Sequence, residues 1–192
     1  MAQYQWLFHH HQVYISEKKG NRIRKIDRNG IISTIAGNGK TRYNGDDQLA
    51  VNAHLYSPEG LFVTEDEQVL IVDTCNRRVR KIDRNGIIST IAGITEGLSL
   101  VKPSSVFQYK NEIYITDTGH LRIVKMDQNG TVSTIAKVRN GVGVGFPFPV
   151  FVYNDEVYFT DGLLQMFKMQ PNGNIQTLAG IENEKGFNGY QM

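Results

Sequence analysis

The segment from Arg24 to Gly37 reads RKIDRNGIISTIAG, and the segment from Arg80 to Gly93 repeats it letter for letter. Weaker copies follow, VKMDQNGTVSTIA from Val124 and FKMQPNGNIQTLAG from Phe167. Each copy contains an Asn-Gly pair, and successive pairs are 56, 44 and 43 residues apart. The pairs are Asn29-Gly30, Asn85-Gly86, Asn129-Gly130 and Asn172-Gly173. Such repetition predicts a chain built of stacked, similar units.

Each unit is predicted to contain two β-hairpins. An Asn-Gly pair between alternating apolar runs is typical of a hairpin, because both residues accept the positive φ angles of a type I′ turn. A second hairpin precedes it, for example Gly60 to Thr64 followed by Val69 to Asp73. The second strands of these units, VLIV, IYIT and VYFT, are apolar on both faces, which indicates burial between stacked sheets. We therefore predict an all-β chain, a β-propeller with four blades of four antiparallel strands, A to D.

The repeats assign the whole chain, residues 1–192, to a single propeller domain. Blades are expected at about residues 2–37, 55–93, 101–137 and 146–180. Residues 181–192 resemble the segment that follows the first repeat, so we expect them to begin a linker toward a further blade.

The bulk composition is that of an ordinary globular protein. Hydrophobic residues make up 40% of the chain and charged residues 21%, and the formal net charge of +2 is too small to indicate a nucleic-acid ligand by itself. Cys75 is the one cysteine, so no internal disulfide can form, which favours a reducing compartment. Neither a signal-peptide pattern nor an apolar run approaching the ~20 residues of a membrane helix is apparent. We therefore expect a cytoplasmic protein without a membrane segment.

The segment of residues 58–81, PEGLFVTEDEQVLIVDTCNRRVRK, resembles the NHL-repeat family. The family pattern begins with Pro-x-Gly, continues through an apolar strand that ends in Asp, and closes with Asn-x-Arg and an aliphatic residue. The second repeat matches it at Pro58, Gly60, Asp73, Asn76 and Arg78, and the third keeps Pro103, Asp117 and Arg122 but has His120 in place of the Asn.

The resemblance implies a propeller that usually has six blades, whereas four are encoded here. We therefore expect an incomplete, open arc, a fragment of a larger protein, with exposed edges that invite self-association. NHL propellers are found as binding platforms, sensor ectodomains and a metal-dependent lyase, so the resemblance implies the fold more narrowly than the function.

The Asp-Asn-Arg motif is expected to be structural rather than functional. It recurs in several blades, whereas a specific binding site would not be repeated. We expect Asp73 and Asn76 to cap the loop between strands B and C, and Arg78 to pair with a carboxylate of its own or the next blade.

The long linker between the first two blades is the most distinctive candidate for a binding site. In a propeller, the D-to-A linkers and the B–C loops emerge on one face, here called the linker face, and long loops often carry function. We predict a non-catalytic platform that recognises a protein or peptide through this face, chiefly through residues 40–54. The candidate residues are Arg42, Tyr43, Asn44, Asp46, Asp47, His54, Arg77 and His120.

Three alternatives remain open at this point. Single-stranded RNA is an alternative ligand for the same face, since some NHL propellers bind it there and basic residues are present, although few aromatic residues accompany them. A metal-dependent lyase or hydrolase is a further alternative, although the sequence shows no convergent catalytic set. Calcium is a possible ligand of Asn44, Asp46 and Asp47, whose oxygens lie close together in sequence. We predict no other cofactor, and we interpret His9, His10 and His11 as a polar turn rather than a metal site.

Overall fold

A computed structural model describes residues 4–94, 98–137, 149–160 and 165–180, and in these ranges the chain forms a β-propeller of four blades. Blade 1 contains β1 (Tyr4–His9), β2 (Gln12–Glu17), β3 (Arg22–Ile26) and β4 (Ile32–Ala36). Blade 2 contains β6 (Pro58–Val63), β7 (Val69–Asp73), β8 (Arg78–Ile82) and β9 (Ile87–Ala92), with the short β5 (Gln48–Leu49) at its outer edge. Blade 3 contains β10 (Pro103–Tyr109), β11 (Glu112–Asp117), β12 (Arg122–Met126) and β13 (Val132–Lys137). Blade 4 contains β14 (Val150–Tyr153), β15 (Glu156–Thr160), β16 (Met166–Met169) and β17 (Ile175–Ala179).

Each blade is an antiparallel meander, and the predicted propeller is confirmed. The first strands of the blades lie innermost, where β6 contacts β1 and β10, and β10 contacts β14. Three apolar clusters form the core, one between each pair of neighbouring blades. The predicted linker at residues 181–192 lies outside the described residues.

The Asn-Gly pairs lie in the predicted hairpins, but the predicted type I′ turn is wrong. Gly30 has φ +80°, whereas Asn29 keeps a negative φ, and the same holds for the other three pairs. The amide of Gly30 donates to the carbonyl of Asp27, and the Asp27 amide donates to Ile31, which is a type I turn closed by a glycine bulge. Asp27 Oδ1 also accepts hydrogen bonds from the amides of Asn29 and Ile31 at 2.8 and 2.9 Å. This Asx-type bonding holds the residue before glycine in a right-handed conformation.

Turns with two consecutive left-handed residues are found instead between strands A and B. His10 and His11 form this turn in blade 1, with φ +45° and +62°. Lys110-Asn111 and Asn154-Asp155 form it in blades 3 and 4. The His9 and His10 rings make an edge contact at 4.1 Å between centroids.

Gly60 permits the closest approach between two blades. A Cβ atom on this residue would lie 2.8 Å from the Ser104 carbonyl oxygen and 2.8 Å from the Ser105 Cα atom, both in blade 3. Real Cβ atoms do not come so close to backbone, so β6 and β10 could not keep this spacing with a side chain at residue 60. In the next interface Ser105 occupies the corresponding position, and its hydroxyl lies 3.4 Å from the Val150 amide, from which it accepts a hydrogen bond.

Gly60→Ala is expected to lower the free energy of unfolding by about 1–3 kcal/mol, because the methyl group forces blades 2 and 3 apart. Urea denaturation of the 192-residue chain measures this change. Glu65→Ala, in an exposed turn of the same blade, is the control and should change stability by less than about 0.5 kcal/mol. Equal stability of Gly60→Ala and wild type would contradict the tight inter-blade contact.

Candidate functional site

The linker between blades 1 and 2 is a folded segment anchored to blade 2. Gln48 and Leu49 pair with Ile88 and Ile87 as β5, so this part of the linker lies along the outer edge of the blade. The sequence predicted that residues 40–54 form a loop on the linker face. Residues 48–49 differ from this prediction because they form a strand that pairs with β9. Ala50, Ala53 and Leu55 are buried and help to join the two blades.

A buried arginine fixes the tip of this linker. Arg80 lies on β8 with no solvent exposure, and its Nη2 donates to the carbonyl of Gly45 at 2.9 Å and to Asp46 Oδ1 at 2.8 Å. Asp46 also accepts hydrogen bonds from the hydroxyls of Tyr43 (2.8 Å) and Thr90 (3.0 Å). Partial burial acts to raise the pKa of Asp46, but these hydroxyls and the Arg80 charge outweigh it, so the pKa is lowered.

Tyr43 covers the arginines of β8 from the solvent side. Its ring centroid lies 3.9 Å from the guanidinium carbon of Arg78 and 4.9 Å from that of Arg80. Both distances are within the range of cation–π attraction, which is stronger where the cation has lost water. The two guanidinium groups therefore hold the ring in place, and Tyr43 remains 36% exposed.

Asp73 lies beneath the same cluster and joins the linker to the B–C loop. Its Oδ1 accepts a hydrogen bond from the Tyr56 amide at 2.7 Å, and its Oδ2 accepts one from Asn76 at 2.8 Å. Oδ2 also lies 3.6 Å from Arg80 Nη1. Burial raises the pKa of Asp73 to about 6, although both hydrogen bonds and the Arg80 charge favour the carboxylate.

The B–C loop of blade 2 completes the surface. Residues 74–76 form a single 3-10 turn that ends at Arg77, a left-handed residue with φ +56°. Arg78 Nη1 donates to the Asn76 carbonyl at 2.7 Å. The expected pairing of Arg78 with a carboxylate is not found among the described residues, since Tyr43 and a backbone carbonyl occupy its guanidinium and Arg80 takes the carboxylates.

Blade 3 repeats this arrangement with different side chains. Asp117 is buried, and its Oδ2 lies 2.8 Å from both His120 Nδ1 and Arg122 Nε. Oδ1 accepts a hydrogen bond from the Val101 amide at 2.7 Å. Here the arginine does pair with the carboxylate of its own blade. His120 thus takes the place of Asn76 and belongs to the blade 3 loop rather than to the linker cluster.

The other seven candidate residues fall into two groups. Tyr43, Asn44, Asp46 and His54 belong to the folded linker, where Asn44 Oδ1 accepts a hydrogen bond from the His54 amide at 2.7 Å. The second group consists of Arg42, Asp47 and Arg77, which are exposed, and their side chains make no hydrogen bond or ion pair with the described residues. Arg42 and Asp47 have φ +77° and +56°, so the backbone at both positions is held in a strained, left-handed form.

The geometry does not favour calcium at the linker. The carboxylate of Asp46 faces the Arg80 guanidinium, so a cationic side chain already occupies the place that a metal ion would take. In the described ranges, no group of three or more His, Cys, Asp or Glu side chains is arranged to hold a metal ion. None of the helical segments described is long and apolar enough to cross a membrane.

Arg80 was not among the residues singled out from the sequence. The alternation along β8 could have identified it. Arg80 lies on the same face of the strand as Ile82, which is buried, so Arg80 is expected to be buried as well. A charged residue at a core-facing position needs a partner, and the preceding linker offers Asp46 and Asp47.

Comparison with known proteins identifies the class of this fold. Solved structures with the same fold include a streptogramin B lyase (TM-score 0.67, 13% identity, 92% of this chain and 54% of that chain). They also include the nidogen/laminin complex (TM-score 0.64, 16% identity, 86% of this chain and 58% of that one). The fold therefore occurs in an enzyme and in a protein–protein complex, so the fold alone does not distinguish a catalytic function from a binding function.

Sequence comparisons find similarity to one family over part of the chain. Residues 39–111 match the family model of the teneurin NHL domain. Human Teneurin-4 is 34% identical over 90 residues, which cover 40% of this chain and 3% of the teneurin. The protein SUPPRESSOR OF QUENCHING 1, chloroplastic, of Arabidopsis thaliana is 33% identical over 75 residues, or 38% of this chain and 7% of that protein. Over these segments the chain is similar to NHL-repeat proteins, and it spans a small part of these relatives and about half of the similar solved chains.

Removing the Arg80 charge is expected to destabilise the fold far more than removing its twin in the identical repeat. Arg80→Met leaves Asp46 and Asp73 without their cation and should lower the free energy of unfolding by about 3–5 kcal/mol. Arg24→Met is the matched control, because Arg24 is partly exposed, 3.5 Å from Glu17, and its loss should cost less than about 1 kcal/mol. Urea denaturation compares the two, and equal losses would show that Arg80 is not the anchor.

Asp73 is expected to make stability depend on pH between about 4 and 6. Its pKa is higher in the folded protein, about 6, than the ordinary 3.8, so the folded state binds more protons in this range. The contribution of Asp73 protonation to the free energy of unfolding is therefore largest at low pH and is lost as pH rises toward 6.

Asp73→Asn cannot titrate, so the stability of this variant relative to wild type should increase as pH rises from about 4 to 7. Urea denaturation of both proteins at matched pH values measures the difference, in which the other carboxylates cancel. A difference that stays constant with pH would contradict a raised pKa for Asp73.

Proposed function

We propose that the linker face of blade 2 is a non-catalytic recognition surface for a protein or peptide. The observation that carries the proposal is that exposed charged side chains without partners lie on or beside a linker whose backbone is held in place. The Arg80–Asp46 network holds the linker tip rigidly, whereas Arg42, Asp47 and Arg77 have side chains with no partner among the described residues. A fixed backbone beneath these side chains lowers the entropic cost of binding, because the linker need not become ordered on association.

The side chains on this surface are of the kind that dominate protein interfaces. Tyr43 and Tyr56 are partly exposed aromatic residues next to exposed arginines. Tyrosine and arginine are enriched among the residues that contribute most binding energy, because they combine a large contact area with hydrogen-bonding groups. Lys40, Arg42 and Arg77 give the surface an excess of positive charge over Asp47. We therefore propose a partner segment that carries carboxylates beside an apolar or aromatic residue.

The likeness to the nidogen/laminin complex supports a role in protein recognition at the level of the fold. The surface itself supports binding, because its exposed groups are mainly cationic and aromatic side chains, with Asp47 as an exposed carboxylate among them. The titratable groups beneath them, Asp46 and Asp73, already have hydrogen-bond partners within the fold.

Reversal of charge at Arg42 and Arg77 tests the proposal. The double variant Arg42→Glu/Arg77→Glu should lose the proteins that wild type captures from cell extract, because a cationic surface becomes anionic. Arg28→Glu, an exposed residue in the C–D turn on the opposite face, is the control and should retain them. Quantitative mass spectrometry of the captured material measures both.

Two results would contradict the proposal. One is an identical set of partners for wild type, the double variant and the control. The other is capture that disappears after nuclease treatment and declines steeply with salt, since both are properties of nucleic-acid binding.

A further inference from the structure

The face opposite the linker face carries a cleft between blades 2 and 3. The cleft has a volume of about 450 Å³, which is within the range of small-molecule sites. Blade 2 lines it with Gln68, Leu70 and Lys81, and blade 3 lines it with Ile113 and Met126 among others. Blades 2 and 3 each pack against a neighbour on both sides, so this chain itself supplies both walls of the cleft.

The equivalent cleft between blades 3 and 4 contains its own carboxylate. This cleft has a volume of about 420 Å³, and its lining includes Glu112, Tyr114 and Lys125. Lys125 Nζ donates to Glu112 Oε1 at 2.8 Å, and the Tyr114 hydroxyl donates to Glu112 Oε2 at 2.9 Å. The hydrogen bond from Lys125 lowers the pKa of Glu112, so the carboxylate stays charged at neutral pH. The lysine at this position of blade 3 therefore has an anionic partner within its own blade.

The lysine at this position has partners in blades 1 and 4 as well. In blade 4, Lys168 Nζ lies 3.0 Å from Glu156 Oε1, and the Tyr158 hydroxyl donates to Glu156 Oε2 at 2.7 Å. In blade 1 a glutamine replaces the glutamate, but Lys25 Nζ lies 5.4 Å from the centroid of the Tyr14 ring, within the range of cation–π attraction. In these blades the lysine is therefore engaged either by a carboxylate or by a tyrosine ring.

Blade 2 departs from this pattern at both partner positions. Gln68 occupies the position of Glu112, because each lies two residues before the residue that pairs with the lysine. Leu70 occupies the position of Tyr114 and pairs with Lys81 on the next strand. Lys81 is partly buried, and it makes no hydrogen bond, ion pair or ring contact with the described residues. Its ammonium group therefore lacks the partners that its counterparts in the other three blades have.

The acidic residues that line the cleft do not replace these partners. The carboxylate of Asp66 accepts hydrogen bonds from two side chains of its own turn, at 2.5 and 2.6 Å. The carboxylate of Asp127 accepts two hydrogen bonds from backbone amides of its own turn, both at 2.9 Å. Neither carboxylate forms an ion pair with Lys81, and Arg84, which donates to the Asp66 carbonyl at 2.6 Å, brings a second cation to this turn. Lys81 is thus available to an anion that enters the cleft.

We propose that this cleft binds a small organic carboxylate that carries an aromatic ring. The carboxylate of the ligand pairs with Lys81, in the role that Glu112 has in blade 3. The ring of the ligand lies beside Leu70, whose side chain is smaller than the tyrosine of the other blades. Apolar side chains complete the site on both walls, namely Ile91, Ile113 and Met126. A cationic group next to apolar side chains suits a ligand of this kind.

Titration of the chain with phenylacetate, followed by NMR of the backbone amides, tests the proposal. Phenylacetate should bind saturably and shift the amide resonances around the cleft, whereas phenylethylamine, which has a similar ring but the opposite charge, should not. Lys81→Met should weaken binding at least about tenfold, because it removes a charged hydrogen-bond donor. Lys19→Met, at an exposed lysine in the B–C loop of blade 1, is the control and should bind as wild type does.

Exchange of residues between two repeats gives a sharper test. Gln68→Glu/Leu70→Tyr supplies blade 2 with the partners that blade 3 has, so Lys81 is engaged and phenylacetate binding should be lost. The reciprocal variant Glu112→Gln/Tyr114→Leu frees the lysine of blade 3 and should create a second binding site. Circular dichroism of each variant checks folding, and the single change of glutamine to glutamate, or of glutamate to glutamine, replaces a double variant that fails to fold.

The proposal is overturned if wild type shows no saturable binding of phenylacetate at millimolar concentrations. It is also overturned if Lys81→Met binds as tightly as wild type, or if phenylethylamine binds as tightly as phenylacetate, since the cation would then have no role. Unchanged binding after the exchange in blade 2 would overturn it as well, because the ligand would not occupy the place of the missing carboxylate.

Discussion

The structure depends on one constraint, which is that a four-stranded blade with two apolar faces cannot bury them by itself. Each interior blade is covered on both sides, and the central strand β7 is buried along its whole length. The close contact at Gly60 is a consequence, because two sheets that share a core must approach until their side chains interlock. Stability in such an array comes from the interfaces between neighbouring units as much as from the units.

The linker cluster shows how the same packing can enclose a charge. Arg80 occupies a position that carries an aliphatic or aromatic residue in the later blades, Val124 and Phe167. Burial of a guanidinium is costly unless carboxylates and carbonyl groups surround it, and Asp46, Gly45 and Asp73 do so. The compensation is incomplete, since Nε and Nη1 of Arg80 find no hydrogen-bond partner among the described residues. The linker is therefore held by its carboxylate, and its conformation is tied to the integrity of blade 2.

Much of the fold could be predicted from sequence because repetition averages out local ambiguity. The first two strands of blade 2 lie within about two residues of their predicted bounds, and the B–C loops follow the repeat motif. The turn type was missed because the Asp27 side chain, two residues before the asparagine, decides the backbone conformation. The role of Arg80 was missed because its partners are 34 and 35 residues away on a linker that no repeat predicts. Local sequence patterns predict the structure within a repeat, but they do not predict the contacts that a linker between two repeats makes with it.

The two identical segments give the clearest evidence that environment rather than sequence sets the role of a residue here. Arg24 and Arg80 have the same neighbours in the chain, yet Arg24 is partly exposed beside Glu17 whereas Arg80 is sealed under a linker. The difference arises because blade 1 and the linker cover the face of blade 2 on which Arg80 lies, whereas none of the described residues forms a blade over the equivalent face of blade 1. An arginine on this face of a blade therefore becomes an anchor only when the preceding linker delivers a carboxylate to it. By the same argument, a blade or partner that covered this face of blade 1 would have to provide a hydrogen-bond or ionic partner for Arg24 as well as cover the exposed apolar residues around it.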